Sequence, residues 1–475
     1  MLFNSIEFLV FLPLVFLLYW FGFKKLLLQN LLVVIVSYIF YGWWDCRFLV
    51  LIAFTSLCSW YSGVLISRYR NKRYIGRSIA AANIIINLGV LGVFKYFNFF
   101  ADNLGLLFSE IGWNVDMPTV RLILPVGISF YTFQALSYTI DVYRQKIEPT
   151  LNVVAFFAFI SFFPQLVAGP IERATNLLPQ FLKDRQFDYN KAVDGMRQIL
   201  WGLFKKMVVA DNCAPVVNTI FSDYQQYNAT TLLLGGVLFS FQIYGDFSGY
   251  SDIAIGAARL FGINLRRNFN FPYFSRSIAE FWRRWHISLN TWFVDYVYIP
   301  LGGSRRGKLV TLRNTFVIFL LSGLWHGANW TFVCWGLFHA LCFIPLMLLG
   351  LNRKFTDTVA VGKYIPNIEE ICEMLTTFVL AMIGWIFFRA ESISMAYHYI
   401  VDMVSMQDGK YVLPVSSLLF IMILVLAEWN QREKQHALQD VFSHHIYLRR
   451  FLYLTIVMII LCKSGEHSNF IYFQF

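Results

Sequence analysis

One ionisable side chain lies in surroundings that suit proton transfer. His326 stands in Ser322-Gly-Leu-Trp-His-Gly-Ala-Asn-Trp330, inside a run from Asn314 to Gly350 without Lys, Arg, Asp or Glu. Histidine can take up a proton near neutral pH, because its unperturbed pKa is about 6.5. Gly323 and Gly327 place no side chains around the imidazole and would let a substrate approach. The motif predicts a general base at His326; the alternative is a structural histidine hydrogen-bonded to a neighbouring helix.

Two further groups of polar residues could take part in chemistry. His286, in Phe281-Trp-Arg-Arg-Trp-His-Ile-Ser-Leu289, could be a second catalytic group or an interface histidine that makes a packing contact. The block Gln242–Asp252 carries carboxylates and hydroxyls in an apolar stretch. We interpret this block as a polar channel wall, or as a structural network with arginines from 264–284, rather than as a carboxylate dyad that acts unaided. Its candidate binding residues are Asp246, Ser248, Tyr250 and Asp252.

The segment 264–313 is strongly basic, with nine Lys and Arg residues against Glu280 and Asp295. Apolar residues from Ile278 to Trp292 recur at helical spacing, which predicts one helix that lies in the membrane interface with its aromatic face towards the lipid. The basic side chains that could hold the phosphates of an anionic substrate are Arg283, Arg284, Arg305, Arg306 and Lys308. The alternative is a positive-inside loop that only sets the topology.

Several common catalytic motifs are missing or incomplete in the sequence. Gly302–Lys308 fits the start of a phosphate-binding loop, but Leu309 stands where the magnesium-binding hydroxyl is needed. The sequence contains no G-x-S-x-G and no H-E-x-x-H. His326 and His339 are 13 residues apart and would point about 220° apart on one continuous helix, so they could not share a metal there. We expect no metal site.

These residues must be positioned by helices in an apolar environment. Of 475 residues 57% are hydrophobic and 14% are charged, whereas about 25% of a soluble protein is charged. The composition excludes a soluble enzyme, a disordered chain and a disulfide-stapled module. Membrane crossing takes roughly 20 helical residues, and the apolar runs predict an all-α polytopic protein with about ten to twelve membrane helices in a single domain, 1–475. The candidate spans are 5–23, 27–44, 48–66, 79–100, 121–140, 151–170, 198–220, 231–260, 314–349, 372–388, 413–428 and 450–462.

The net charge of the chain is +11. We attribute it to Lys and Arg in cytoplasmic loops rather than to a nucleic-acid-binding surface. The basic loop 68–77 and Lys24–Lys25 are expected on the cytoplasmic side, and the loop 101–120, which is acidic, on the outside. Strict alternation would then place the mixed-charge segment 172–197 outside. Leu124–Gly127 and Ala168–Pro170 interrupt the two preceding spans, so one of these spans is expected to be re-entrant, or to be an ordinary Pro-kinked helix.

Six motifs together resemble the alginate O-acetyltransferase branch of the membrane-bound O-acyltransferases. They are Leu124–Gln134, Asp246–Asp252, Phe281–Leu289, Tyr298–Gly303, Leu324–Gly327 and Phe470–Phe475. The match is densest over 120–340. The resemblance implies a ring of helices around a tunnel, with His326 as the family's invariant histidine and His286 as its second histidine.

The same resemblance implies an activity and its partners. An acetyl group from cytoplasmic acetyl-CoA would cross the inner membrane of a bacterium, and a separate extracytoplasmic partner of the SGNH type would place it on a polysaccharide. Acetyl-CoA would be a substrate, with no tightly bound cofactor, and membrane lipids would surround the chain. The acceptor could be an alginate-like exopolysaccharide, peptidoglycan or another glycan. The alternative is a transporter of a glycan or lipid precursor with His326 as a proton relay.

Overall fold

The computed structural model describes residues 1–113, 121–167, 169–465 and 470–471. These residues are mostly helical, and among them no β-strand forms; Tyr227 and Lys410 make one isolated bridge. The predicted all-α class is confirmed. Asp116 of the acidic loop, Ala168 of the second predicted break and Tyr472–Phe475 of the closing motif lie outside the described residues.

The chain forms two compact units. The first comprises Met1–Tyr189 and Ala258–Leu265, and the second comprises Asn190–Ala257 and Arg266–Phe475. The expectation of a single domain over 1–475 stays a prediction. The α-helices that begin in the first unit are Ile6–Leu17, Leu26–Gly42, Leu49–Arg68, Arg73–Glu110, Ile128–Tyr143, Val153–Ser161, Phe163–Leu166, Ala174–Phe181 and Tyr189–Leu203. The later ones are Asp211–Ser222, Ala229–Leu260, Ile278–Arg284, Ile287–Phe293, Lys308–His326, Trp330–Leu348, Ile368–Arg389, Ile393–Val404, Val415–Asn430 and Ile446–Lys463.

Five of the described helices are long and apolar enough to cross a membrane. They are Cys46–Arg68 (counted with its short 3₁₀ start), Arg73–Glu110, Lys308–His326, Trp330–Leu348 and Ile368–Arg389. Three shorter apolar helices are Ile6–Gly22, Leu26–Gly42 and Val415–Asn430. A polytopic protein is therefore confirmed, whereas the total of ten to twelve membrane helices stays a prediction.

The predicted span 121–140 is interrupted where the sequence indicated. Residues 121–127 are not helical, and the helix Ile128–Tyr143 begins after Gly127, whose φ is +73°. A Cβ atom on Gly127 would overlap the carbonyl oxygen of Leu166, so the residue must be small here as well as left-handed. The alternative of an ordinary Pro-kinked helix is wrong for this segment. Pro125 and Val126, next to Gly127 in this irregular segment, are buried in protein, as an apolar environment requires.

The run 314–349 forms two helices rather than one. Lys308–His326 ends at Gly327, and Trp330–Leu348 begins with Asn329 as its N-cap. The two histidines of this run therefore lie on different helices, and the angle calculated for one continuous helix does not apply. The two helices pack closely along glycines: a Cβ atom on Gly323 would overlap the carbonyl oxygen of Phe332.

The expected interfacial helix over 278–292 is wrong in two respects. The segment forms two seven-residue helices, Ile278–Arg284 and Ile287–Phe293, because Trp285 is extended and His286 is left-handed with a φ of +44°. Its aromatic face is buried in protein instead of facing lipid: the ring of Trp285 packs against Trp385 at a centroid distance of 4.7 Å. The break in the chain turns His286 into the second unit's interior.

Candidate active site

His326 closes its helix inside a cage of aromatic rings. Its own ring lies 4.9 Å from Trp335, 5.3 Å from Phe388 and 5.0 Å from Trp325, measured between centroids. The side chain is buried. The helix ends here because Gly327 adopts extended backbone, and a Cβ atom on Gly327 would overlap the Phe332 ring.

Gly323 and Gly327, which flank His326, do not have the role that we predicted. We predicted that they leave space for a substrate. In the structure the Phe332 backbone occupies the space beside Gly323, and the Phe332 ring occupies the space beside Gly327. These glycines permit close helix packing, so a substrate must reach the imidazole from another direction.

The fold brings His286 next to His326. Their ring centroids are 6.5 Å apart, and Trp325 touches both rings. Phe247 lies edge-on to His286 at 4.7 Å. The two histidines that the sequence singled out, 40 residues apart in the chain, therefore share one buried aromatic environment.

Hydrogen bonds fix which nitrogen of His286 carries its hydrogen. The Oδ1 atom of Asn268 accepts from the Ser288 backbone N–H at 3.3 Å and from the Ser288 hydroxyl at 2.8 Å. A backbone N–H can only donate, so the amide oxygen faces this group. The same oxygen lies 3.1 Å from Nδ1 of His286. Nδ1 must therefore be the donor, and Nε2 carries the lone pair that can accept a proton.

The Nε2 atom of His286 is buried and has no hydrogen-bond partner within the part of the chain that the structure describes. Burial lowers the pKa of His286 to about 3, so its imidazole is neutral at physiological pH. A neutral imidazole with an available lone pair can act as a base or accept a hydrogen bond from a substrate hydroxyl.

Replacing Asn268 with leucine is expected to lower the acyl transfer that the family resemblance implies by about ten- to a hundredfold, because the N–H groups of His286 and Ser288 would lose their acceptor while buried. Polymer-linked acyl groups measured per folded protein would report the loss. The matched control is Asn290→Leu in the same segment, which removes hydrogen bonds to the Trp282 and Trp285 carbonyls and leaves the hydrogen bond of the His286 side chain in place. Equal losses in both variants would indicate a structural effect only.

The Asp246–Asp252 block lies in a buried network of charges. Lys206 contacts Asp246 and Asp211, each at 2.8 Å, and all three side chains are almost fully buried. Lys205 contacts Asp252 at 2.6 Å and the Ser248 hydroxyl at 2.8 Å. The structural-network interpretation therefore fits Asp246, Ser248 and Asp252. Their direct partners are Lys205 and Lys206, and of the predicted arginines Arg267 interacts electrostatically with Asp252.

A further buried carboxylate belongs to this network. Glu428 accepts a hydrogen bond from the Tyr244 hydroxyl at 2.8 Å and from the Trp201 indole at 3.4 Å. Sequence reasoning missed Lys205, Lys206, Asp211, Glu428 and Asn268. Adjacent lysines inside the predicted span 198–220 were a usable signal, since charged residues at membrane depth are rare and usually functional or paired.

Glycines let the two helices that carry this network approach closely. A Cβ atom on Gly249 would lie 2.8 Å from the carbonyl oxygen of Gly202, and a Cβ atom on Gly245 would lie 2.9 Å from that of Lys205. Small residues at a helix crossing allow such contact in membrane proteins. The approach brings the carboxylates within reach of the lysines.

The end of the described chain packs beside the network. The Ile471 backbone N–H donates to Oδ2 of Asp246 at 2.7 Å. The ring of Phe470 lies 4.4 Å from Tyr250 and 5.9 Å from Phe247. Tyr250 thus packs against the chain end, and Phe247 lies between Phe470 and His286 and contacts both rings.

The predicted phosphate-binding arginines fall into two groups. Arg284 is buried and contacts Glu280 at 2.8 Å, and Arg283 donates to the backbone carbonyls of Asn352 and Phe355. These contacts are structural. Arg305 and Arg306 are exposed in a glycine-rich turn, and Lys308 is exposed at the start of the helix that follows. These residues stay the candidates for contact with an anionic substrate.

Arg276 ties the basic segment to the following loop. It contacts Glu280 at 3.2 Å and Asp357 at 2.8 Å. The hydrogen bond from Arg276 holds the pKa of Asp357 below its ordinary value. No three His, Cys, Asp or Glu side chains of the described residues lie together so that they could hold a metal ion.

A comparison with protein families identifies the family of this chain. The sequence model of the membrane-bound O-acyltransferase family matches residues 144–388, which include both histidines and the lysines and aspartates of the charged network. The chain belongs to the membrane-bound O-acyltransferase family. It is therefore an enzyme, an O-acyltransferase of the acetyltransferase type, and a multi-pass membrane protein.

Relatives of this O-acyltransferase come from several bacteria. It is 39% identical to the probable alginate O-acetylase AlgI of Pseudomonas aeruginosa over 398 residues, which is 84% of this chain and 74% of that protein. It is 35% identical to the peptidoglycan O-acetyltransferase of Helicobacter pylori over 81% of this chain and 75% of that protein. It is 30% identical to the teichoic acid D-alanyltransferase of Bacillus subtilis over 58% of this chain and 71% of that protein.

Proposed function

We propose that this O-acyltransferase takes an acetyl group from cytoplasmic acetyl-CoA and passes it across the inner membrane for O-acetylation of an extracytoplasmic polysaccharide. The observation that carries the proposal is the pair of buried imidazoles, His286 and His326, 6.5 Å apart in the region that matches the family. Burial keeps the His286 imidazole neutral, so it can accept a hydrogen bond from the attacking hydroxyl while His326 takes the proton.

Proton transfer at His326 is the central step of the proposal. As an acceptor hydroxyl attacks the thioester carbonyl carbon, His326 removes the hydroxyl proton and a tetrahedral oxyanion forms. Its collapse breaks the carbon–sulfur bond and releases the CoA thiolate, which takes the proton back. The aromatic cage excludes water, so the acyl group is transferred rather than hydrolysed. His286 would hold or orient the hydroxyl through Nε2.

Binding of the donor is assigned to basic side chains on the predicted cytoplasmic side. Arg305, Arg306 and Lys308 are exposed and close in sequence, and guanidinium groups suit phosphate oxygens. The two arginines Arg283 and Arg284 already contact protein groups, so they would contribute charge more than direct contacts. Acetyl-CoA would come and go as a substrate.

The names of the relatives support a polymer of the cell envelope as the acceptor. Those compared act, by their names, on alginate, peptidoglycan or teichoic acid. The higher identity to the alginate and peptidoglycan proteins favours acetyl as the acyl group and an alginate-like exopolysaccharide or a cell-wall glycan as the acceptor. We infer a separate extracytoplasmic partner of the SGNH type. Family membership disfavours the transporter alternative.

Sealed membrane vesicles can test the donor and its side. With radiolabelled acetyl-CoA outside inside-out vesicles that contain the protein, its partner and glycan, label is expected to accumulate on glycan in the lumen. Right-side-out vesicles given the same donor are the control and should stay unlabelled. Labelling from acetyl phosphate but not from acetyl-CoA would contradict the donor assignment, and equal labelling in both orientations would contradict transfer across the membrane.

A further inference from the structure

The indole of Trp335 carries a hydrogen-bond donor for which the described part of the chain supplies no acceptor. Trp335 lies on the helix Trp330–Leu348 and is fully buried. Its Nε1 atom is buried as well, and no described residue forms a hydrogen bond with it. A buried tryptophan N–H usually has a partner, because a donor removed from water without an acceptor costs free energy. This donor is therefore suited to an acceptor that is present only when a substrate is bound.

Trp335 is in direct contact with the imidazole that we propose as the base. The ring centroids of Trp335 and His326 are 4.9 Å apart, and the two ring planes are nearly perpendicular, at 83°. Phe388 lies against both rings, at 5.6 Å from that of Trp335 and 5.3 Å from that of His326. Of the two cage residues Trp335 and Phe388, only Trp335 can donate a hydrogen bond.

Acyl transfer requires such a donor close to the base. When an acceptor hydroxyl attacks the thioester, its oxygen lies about 3 Å from the base that removes its proton. The carbonyl oxygen of the thioester is two bonds from the attacking oxygen, and it takes up negative charge as the new carbon–oxygen bond forms. A hydrogen-bond donor for this oxygen must therefore come from a side chain beside the base. Trp335 meets this requirement, because its ring contacts that of His326.

We propose that the Nε1–H group of Trp335 donates a hydrogen bond to the oxyanion of the tetrahedral intermediate. The assignment rests on the proposed function, in which His326 is the base. The hydrogen bond stabilises the oxyanion while it exists and weakens when the carbon–oxygen double bond reforms. The carbon–sulfur bond then breaks, and the CoA thiolate takes the proton that His326 removed. The Nε1 hydrogen stays on the indole throughout. Among aromatic rings, where water is excluded, such a hydrogen bond stabilises charge more strongly than in water.

Trp282 provides a matched comparison in the same group of aromatic rings. Its Nε1 atom is likewise buried, without a hydrogen-bond partner in the described ranges. Among the described residues, its ring packs against Phe281, Phe319, Trp335 and His339, and against neither histidine of the site. The N–H group of Trp282 is therefore one ring further from the base, and we expect it not to contact the oxyanion.

A sulfur isostere of tryptophan, benzothienylalanine, removes the N–H group and preserves the shape of the ring. Placed at Trp335 of the full chain, in vesicles with the partner and glycan, it is expected to lower kcat by about 10²- to 10³-fold, the usual loss for one oxyanion donor. The KM for acetyl-CoA should change little, because the hydrogen bond strengthens as charge develops. Trp335→Phe should show a similar loss. The same isostere at Trp282 is the control and should retain nearly the full kcat.

Three results would overturn the proposal. The first is an unchanged kcat with the isostere at Trp335, and the second is an equal loss at Trp335 and Trp282, which would indicate packing only. The third is a loss with the isostere at Trp325, whose ring also lies against His326, and none at Trp335. Turnover of acetyl phosphate but not of acetyl-CoA would contradict the proposed donor. The ratio of the variant rates would still test Trp335, because both donors form an oxyanion at the acyl carbonyl.

Discussion

Replacing His326 with alanine is expected to lower polymer-linked acetylation by about 10²- to 10⁴-fold, with the protein still present in the membrane. The magnitude is that of a lost general base. The imidazole is the polar part of a buried side chain whose other neighbours are aromatic rings, so its removal takes away the proton acceptor and leaves a small apolar cavity. Acetyl groups released from purified glycan by mild base would measure the activity.

A control for lost volume is His339→Ala in the adjoining helix. His339 is fully buried and packs against Trp335 and Trp282, at 5.0 and 4.9 Å. Its removal leaves a similar cavity but does not touch His286 or His326. We expect His339→Ala to reduce protein level more than acetylation per molecule. Normal acetylation by His326→Ala at normal protein level would refute the base assignment.

Replacing Lys206 with methionine is expected to destabilise the protein by about 3–5 kcal/mol, because Asp211 and Asp246 would remain buried without their shared cation. The loss would appear as a lower thermal unfolding temperature in detergent and less protein in the membrane. Lys205→Met is the matched control: its partner Asp252 is partly exposed and also accepts a hydrogen bond from Gln198 at 2.7 Å, so a smaller loss is expected.

A triple variant separates the charge of this network from its shape. Lys206→Met combined with Asp211→Asn and Asp246→Asn removes one positive and two negative charges, and asparagine can still accept the Ile471 N–H. Stability should recover by more than half. If Lys206→Met alone were as stable as the unchanged protein, the network would not hold the unit together.

The sequence alone allows the helical class and the central histidine to be predicted, because both depend on local features. Long uncharged runs leave helices as the main way to satisfy backbone groups in lipid, and His326 is conspicuous within such a run. The family resemblance named His286 as the second histidine, but nothing in the spacing of the two residues predicts that they lie close together. The structure adds that Trp325 lies against both rings.

Helical periodicity in the sequence led to a wrong prediction where a single residue changes the backbone conformation. From Ile278 to Trp292 the aromatic residues fit one helix, and the break at His286 leaves no trace in that periodicity. Left-handed backbone is usually found at glycine or asparagine, whereas here the residue is histidine. The ion pair of Lys206 and Asp246 could not be predicted from the sequence. The two residues are 40 positions apart and come into contact only when their two helices pack together.

The left-handed backbone at His286 affects which substitutions at this position would stabilise the protein. A residue with a Cβ atom held at a φ of +44° costs free energy that glycine would largely avoid. Glycine at this position would therefore relax the backbone but remove the imidazole. With the role proposed for His286, histidine at this position is a compromise between stability and activity. Stabilising substitutions chosen from backbone geometry alone would replace it early and would remove the proposed site.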